Sequence, residues 1–308
     1  MMMTNRTISR RVDTGALVRA PFAAMQWRLL VLWTLLLLLP TAVVALPLWG
    51  HLASLLDHSI HAPEWAAGFS PLMFGDTLQS MSGHTGWLGG AGLFSLLLIA
   101  LMSPFLTGMA VGAGRAGRTL GFGHLLQCGV VEYGRMFRLM LWSILPYAVM
   151  GALIGMLFGM ADEAGSKAVL QSEADHAGSM AMFGAIVLFV LAQSIVESGR
   201  AAFIADGGLR SATRAIGRGF MQLLRRPIST LLSYLLITAI GYAIAAAIGV
   251  GRVNTPAIGA GGLSLALLLT QLAVLVMGWV RVARLFALAE VGRSVVGGSS
   301  RVGMPGGL

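Results

Sequence analysis

Six stretches of this chain run for about twenty residues each with almost no charge, and nothing else in it constrains the fold as strongly. They are residues 29–49, 87–111, 139–160, 180–199, 228–250 and 263–286. The hydrocarbon core of a bilayer is crossed by about 20 such residues in helical form. No water there can satisfy a backbone N–H or C=O, so each stretch must close its hydrogen bonds within itself, as a helix does. The expected fold class is therefore all-α, a polytopic transmembrane bundle of six spans. Composition agrees: 11% of the residues are charged, against about 25% in a soluble domain. Residues 1–28 form a basic segment ahead of the membrane domain at 29–286, and residues 287–308 form a flexible Gly/Ser-rich tail. Pro40, Pro47, Pro104 and Pro146 fall inside spans, and each predicts a kink or a local break.

The charge is strongly one-sided. Of 21 basic residues, 19 fall before the first span, between the second and third, at or between the fourth and fifth, or at the end of the sixth and beyond it. Only Lys167 and Arg252 fall on the other side, where the loops hold Asp57, Glu64, Asp76, Asp162, Glu163, Glu173 and Asp175. The positive-inside rule places the arginine-rich side in the cytoplasm. The expected location is the bacterial cytoplasmic (inner) membrane, multi-pass, with both termini cytoplasmic. The first span reads as uncleaved, because the stretch before it is long for a signal peptide. The arginines border spans, so the partner they imply is the bilayer and its anionic headgroups, not nucleic acid. Cys128 is the only cysteine, which excludes an intrachain disulfide and cysteine-rich metal sites.

Short basic amphipathic interfacial helices are expected before the spans. Over residues 209–226, a 100° wheel gathers Leu209, Ala212, Ile216, Phe220 and Leu223 on one face. Arg210, Arg214, Arg218 and Arg225 gather opposite, as candidate lipid-contacting residues. Asp206 is placed to cap the start of this helix. Residues 122–138 are similar, and the segment before the first span echoes them. At an offset of 85, Gly114-Arg115 falls on Gly199-Arg200 and Gly134 on Gly219. This suggests three units, each a basic helix followed by a transmembrane hairpin. Two small-residue stripes, Gly151/Gly155/Gly159 and Gly241/Ala245/Gly249, predict close helix packing within the chain.

Few side chains offer chemistry. Gln193, Glu197, Arg200 and Gln271 are the polar candidates within spans. Glu197 and Arg200, three apart near a helix end, are expected to pair with each other; the glutamines suit interhelical hydrogen bonds or a polar path. In the first external loop, His58, His61 and Glu64 form a weak candidate metal set, whose spacing matches no standard site and which Pro63 interrupts. The expected reading is no bound metal and no cofactor. The G-x-G-x-x-G at Gly112–Gly117 follows a membrane helix, not a strand, so it is no dinucleotide loop. Cys128 and His124 lack a third catalytic group.

The stretch from Glu197 (ESGRAAFIADGGLRSATRAIGRGFMQLLRRPISTLLSYLL) and the end of the sixth span (QLAVLVMGWVRVARLFALAE) resemble a broad set of uncharacterised bacterial inner-membrane proteins with six spans. In that set a basic amphipathic segment ending in Arg-Pro leads into the fifth helix. The layout is also similar to the membrane domain of some glycerophosphodiester phosphodiesterases, whose catalytic domain is absent here. The resemblance covers about the last 110 residues and implies no activity. Three function classes follow in order. A non-enzymatic membrane component (scaffold, assembly or lipid-organising factor) needs only spans and basic helices. A small-molecule or lipid transporter needs polar groups at mid-membrane and broken helices. An intramembrane or metal-dependent enzyme needs a nucleophile or metal cluster near the headgroups, and is not the expected class.

Overall fold

The computed structural model describes residues 14–56, 59–61, 63–64, 70–81, 86–168, 170–256 and 258–296. The described chain is helical and contains no strand. Its main helices are α1 (Thr14–Ala23), α2 (Trp27–Leu56), α3 (Pro71–Met81), α4 (Gly86–Ala116), α5 (Phe122–Lys167), α6 (Gln171–Ala205), α7 (Ala212–Arg225), α8 (Pro227–Val253) and α9 (Gly259–Val296). Among the described residues, α2, α4, α5, α6, α8 and α9 are long and apolar enough to cross a membrane. The protein is an all-α multi-pass membrane bundle with one helix for each expected span. α3, in the loop between the first two spans, was not foreseen.

Consecutive long helices pack together, α2 on α4, α4 on α5, α5 on α6 and α8 on α9, and α4 packs more extensively on α5 than on α2. α6 and α9 are central. α9 packs on α2, α4, α6, α7 and α8, and also on α1. Helix α2 runs through Pro40 and Pro47, α4 through Pro104 and α5 through Pro146. None of the four breaks its helix, which leaves a kink as the form the expectation can take. Ser95 on α4 donates to Pro40 O at 2.8 Å, joining α4 to α2 beside the first proline.

Two features of the expected three-unit organisation are corrected. First, residues 122–138 do not form a separate interfacial helix. They are the start of α5, which continues without interruption to Lys167. Second, the register between units differs. α4 and α6 end at Ala116 and Ala205, and α5 and α7 begin at Phe122 and Ala212. Helix starts thus align at an offset of 90, which superposes Gly129, not Gly134, on Gly219. Both glycines are buried where a basic helix crosses the preceding span. A Cβ on Gly219 would meet Ile195 O at 2.3 Å and Gly199 N at 2.6 Å; a Cβ on Gly129 would meet the Phe105 ring at 2.7 Å. Gly134 has no such neighbour. In the second and third units the basic segment leans on the preceding span: the start of α5 on α4, and α7 on α6. α1 leans on α9, where Trp279 Nε1 donates to Pro21 O at 2.9 Å.

The core sits in the arginine-rich half of the bundle. Its fully buried side chains include Leu29, Met109, Leu125, Leu139, Phe203, Val282, Leu285 and Leu288. Towards the opposite end burial fades: α2 has no buried residue beyond Pro40, α5 none beyond Ser143 and α8 none beyond Gly241. The exposed surface there is leucine, isoleucine, valine, phenylalanine and methionine, suited to lipid. The small-residue stripes divide accordingly. Gly241 meets α9, where an added Cβ would strike Val280 Cγ2 at 1.9 Å. Gly151, Gly155, Gly159 and Gly249 have open space around them, so the stripe on α5 does not pack within the chain as expected. That half of α5 lies outside the core.

Candidate functional site: a buried arginine–glutamate network

Position on the helix wheel brings Gln193, Glu197 and Arg200 to one side of α6, at i, i+4 and i+7. Arg281 and Arg284, three apart, do the same on α9. Because α6 packs on α9, these two polar faces meet. Glu197, with 4% of its side chain exposed, accepts from Arg284 Nη2 at 2.8 Å. The expected pairing of Glu197 with Arg200 within one helix is therefore replaced by a pairing between helices. The reason is reach: the face of α6 that carries Glu197 is covered by α9, and Arg284 arrives from directly opposite.

Around this pair the other long helices add polar and aromatic groups. From α8, Arg284 Nη1 finds Thr238 Oγ1 at 3.2 Å and Tyr234 Oη at 3.4 Å, with the guanidinium 4.9 Å from the Tyr234 ring centre. From α4, Ser103 Oγ accepts from Arg281 Nη2 at 3.2 Å; from α2, the Trp33 ring lies 5.6 Å from the Arg281 guanidinium. From α5, Tyr147 donates to Gln193 Oε1 at 2.8 Å. All six long helices thus contribute. Glu197 Oε2 and Arg284 Nε are buried without a hydrogen-bond partner. Arg284 holds the Glu197 carboxylate, and Arg281 lies within electrostatic range of both Glu197 and Arg200, so the network carries excess positive charge inside the bundle. Such a charge excess is costly in low dielectric unless an anion or water joins it. Gln271, one face and several turns away on α9, is half-buried and has no hydrogen bond to the network.

A second ion cluster lies nearer the arginine-rich end. Glu132, 6% exposed, accepts from Arg115 Nη1 at 2.5 Å and from Arg135 Nη1 at 3.1 Å. Arg115 also donates from Nε to Phe203 O at 2.7 Å, stitching α4, α5 and α6 together. Asp206 pairs with Arg218 at 2.7 Å, and Glu290 with Arg293. Every described acid at this end therefore holds an arginine. Arg210, Arg214 and Arg225 remain exposed and without a carboxylate partner among the described residues.

Helix α7 departs from its expected design. It starts at Ala212, capped by Ser211, whose Oγ accepts from Arg214 N at 3.3 Å. Asp206 does not cap it. It follows the end of α6, accepts from Gly208 N at 2.9 Å and holds Arg218. The Arg218 hydrogen bond, helped by the Gly208 N–H, keeps the Asp206 carboxyl below its ordinary value. Of the expected apolar face, Leu209, Ala212 and Leu223 are buried, and Ala215, Gly219 and Gln222 join them on the side packed against α6. Ile216 is half-buried, and Phe220 is exposed with Met221 and Leu224 beside it. Small residues win the protein side because the backbones of α6 and α7 touch at Gly199 and Gly219.

Of the external histidine set, His61 Nδ1 lies 3.1 Å from Glu64 Oε2, both well exposed, and His58 lies outside the described residues. No group of three metal-binding side chains occurs among the described residues. Sequence reasoning missed Arg281 and Arg284, which it counted only as topology determinants. The signal was present: both fall inside the sixth span, three apart, where charge is costly. Comparison of the chain with protein-family models, with curated proteins and with solved structures finds no match.

Proposed function

We propose that this protein is a non-enzymatic component of the bacterial inner membrane that holds anionic phospholipid at its arginine-rich end, with both chain ends in the cytoplasm. One observation carries the reading. After every described acid at that end has taken an arginine, Arg210, Arg214 and Arg225 on and beside α7 stay exposed, next to the exposed apolar Phe220, Met221 and Leu224. That combination of unpaired guanidinium groups and adjacent apolar side chains suits the headgroup boundary of an anionic leaflet. Each arginine there contributes about 1 kcal/mol before screening. Three would shift lipid partitioning on the order of a hundredfold.

The test is extraction of the full chain with its surrounding lipid, followed by lipid mass spectrometry. Enrichment of anionic over zwitterionic lipid is expected, and Arg210→Gln/Arg214→Gln/Arg225→Gln should remove most of it. Equal capture of both lipid types by the unaltered protein would refute the proposal. A second reading, transport of a small molecule or lipid, draws support from the buried network. Its Glu197–Arg284 pair and the neighbouring Arg281 lie where the packed half of the bundle meets the loosely packed half.

A further inference from the structure

A cavity of about 550 Å³ opens at the arginine-rich end, between α1, the end of α4, the end of α6 and the last turns of α9. Its volume is that of a small-molecule site. Four arginines line it: Arg19 from α1, Arg115 at the end of α4, Arg118 just after it and Arg293 from α9. The one acid among the described residues of its wall, Glu290, is taken by Arg293. Arg118 is exposed and has no partner among the described residues, and Arg19 bonds only Gly15 O within its own helix. Arg115 spends Nη1 on Glu132 and Nε on Phe203 O, and its Nη2 is buried with no partner. Gln26 Oε1, a buried acceptor on the same wall, is also unpartnered. The remaining wall is apolar, with Phe22, Ile204 and Phe286.

We infer that this cavity binds the phosphate group of a small molecule or lipid, with Arg118 and Arg19 as its arms. The fork of a guanidinium matches phosphate oxygens bidentately, and Arg118 and Arg19 line one space with no carboxylate partner among the described residues, whereas Arg115 is already held by Glu132 and Arg293 by Glu290. The apolar wall fits the carbon skeleton that carries it. α1 also exposes Phe22 at 68% and is followed by Met25 at 57%, so the cavity mouth lies beside an apolar edge. The inference deepens the reading above by naming a site for the anion, separate from α7.

The full chain, purified in neutral detergent, would be titrated with four probes: dioctanoyl phosphatidate, glycerol 3-phosphate, inorganic phosphate and uncharged dioctanoylglycerol. The three phosphates, or phosphatidate alone, should bind, and dioctanoylglycerol should not. Binding of phosphatidate only identifies a lipid site; binding of all three identifies a site for a soluble phosphate. Arg19→Gln/Arg118→Gln should weaken binding at least tenfold, and Arg118→Gln alone, at an exposed position outside any helix, severalfold. Arg210→Gln/Arg214→Gln should leave it unchanged. The inference is overturned if no phosphate probe binds, if dioctanoylglycerol binds as tightly as phosphatidate, or if the Arg19/Arg118 variant retains full affinity. Loss of probe binding in the Arg210/Arg214 variant alone would also overturn it, while leaving the α7 lipid reading standing.

Discussion

Glu197 and Arg284 show how one side chain can decide the interior of a membrane bundle. Both are buried, at 4% and 13% exposure, and each would be expensive to leave without its partner. Glu197→Ala should therefore lower the stability of the purified protein by about 3 kcal/mol, read as a fall in its unfolding midpoint in detergent. Glu197→Leu/Arg284→Leu should recover most of that loss, because an apolar pair of similar size replaces both charges at once. The exposed pair Lys167–Glu163 is the internal control; Lys167→Ala should cost less than about 1 kcal/mol. If Glu197→Ala costs no more than Lys167→Ala, the network does not hold the bundle together.

At the scale of elements, the contact of α7 with α6 is set by glycine, not by arginine or leucine. Gly219 is where the two backbones come closest, and a Cβ there would strike the Ile195 carbonyl and the Gly199 backbone. These atoms belong to a packed helix and cannot rotate aside. Gly219→Ala should thus destabilise the protein by about 1–3 kcal/mol through overpacking. Gly217, two residues earlier on the same helix, has open space where its Cβ would stand. Gly217→Ala should stabilise by up to about 1 kcal/mol, because it removes backbone freedom from a helical position. The opposite signs of two identical substitutions, measured by thermal unfolding, check the packing directly. The sequence wheel could not distinguish these positions. It ranks faces by hydrophobicity, which favours Phe220 and Ile216, whereas close approach of two helices favours Ala212, Ala215 and Gly219.

At the scale of the whole molecule, charge asymmetry gives the bundle a direction. Phosphatase fusions that are active only outside the cytoplasm should be active near Glu64, Ser172 and Asn254, and inactive near Gly123, Ser211 and Ser300. The expectation rests on 19 of 21 basic residues lying at one end. An active fusion at Ser211 would reverse it, and with it the assignment of the lipid-holding end to the inner leaflet. The six-helix layout itself was legible because each span is an unbroken apolar run. The three-unit pattern was legible only in outline, since its few identities suggested an offset of 85, whereas the helix starts align at 90.

The amino-acid sequence by itself determined that the chain has six membrane helices and a basic end. Both follow from sums along a segment: the transfer of apolar side chains into hydrocarbon and the placement of arginine beside it. Neither sum depends on what the segment later touches. Only the tertiary structure decided that Glu197 meets Arg284 and not Arg200, and that Asp206 holds Arg218 and does not cap α7. It alone decided that Arg19, Arg115, Arg118 and Arg293 surround one cavity. These are partnerships between helices distant in sequence. They depend on which faces close packing turns towards each other, and at Gly199, Gly219 and Gly241 that packing is governed by the absence of a side chain, which no hydropathy sum records.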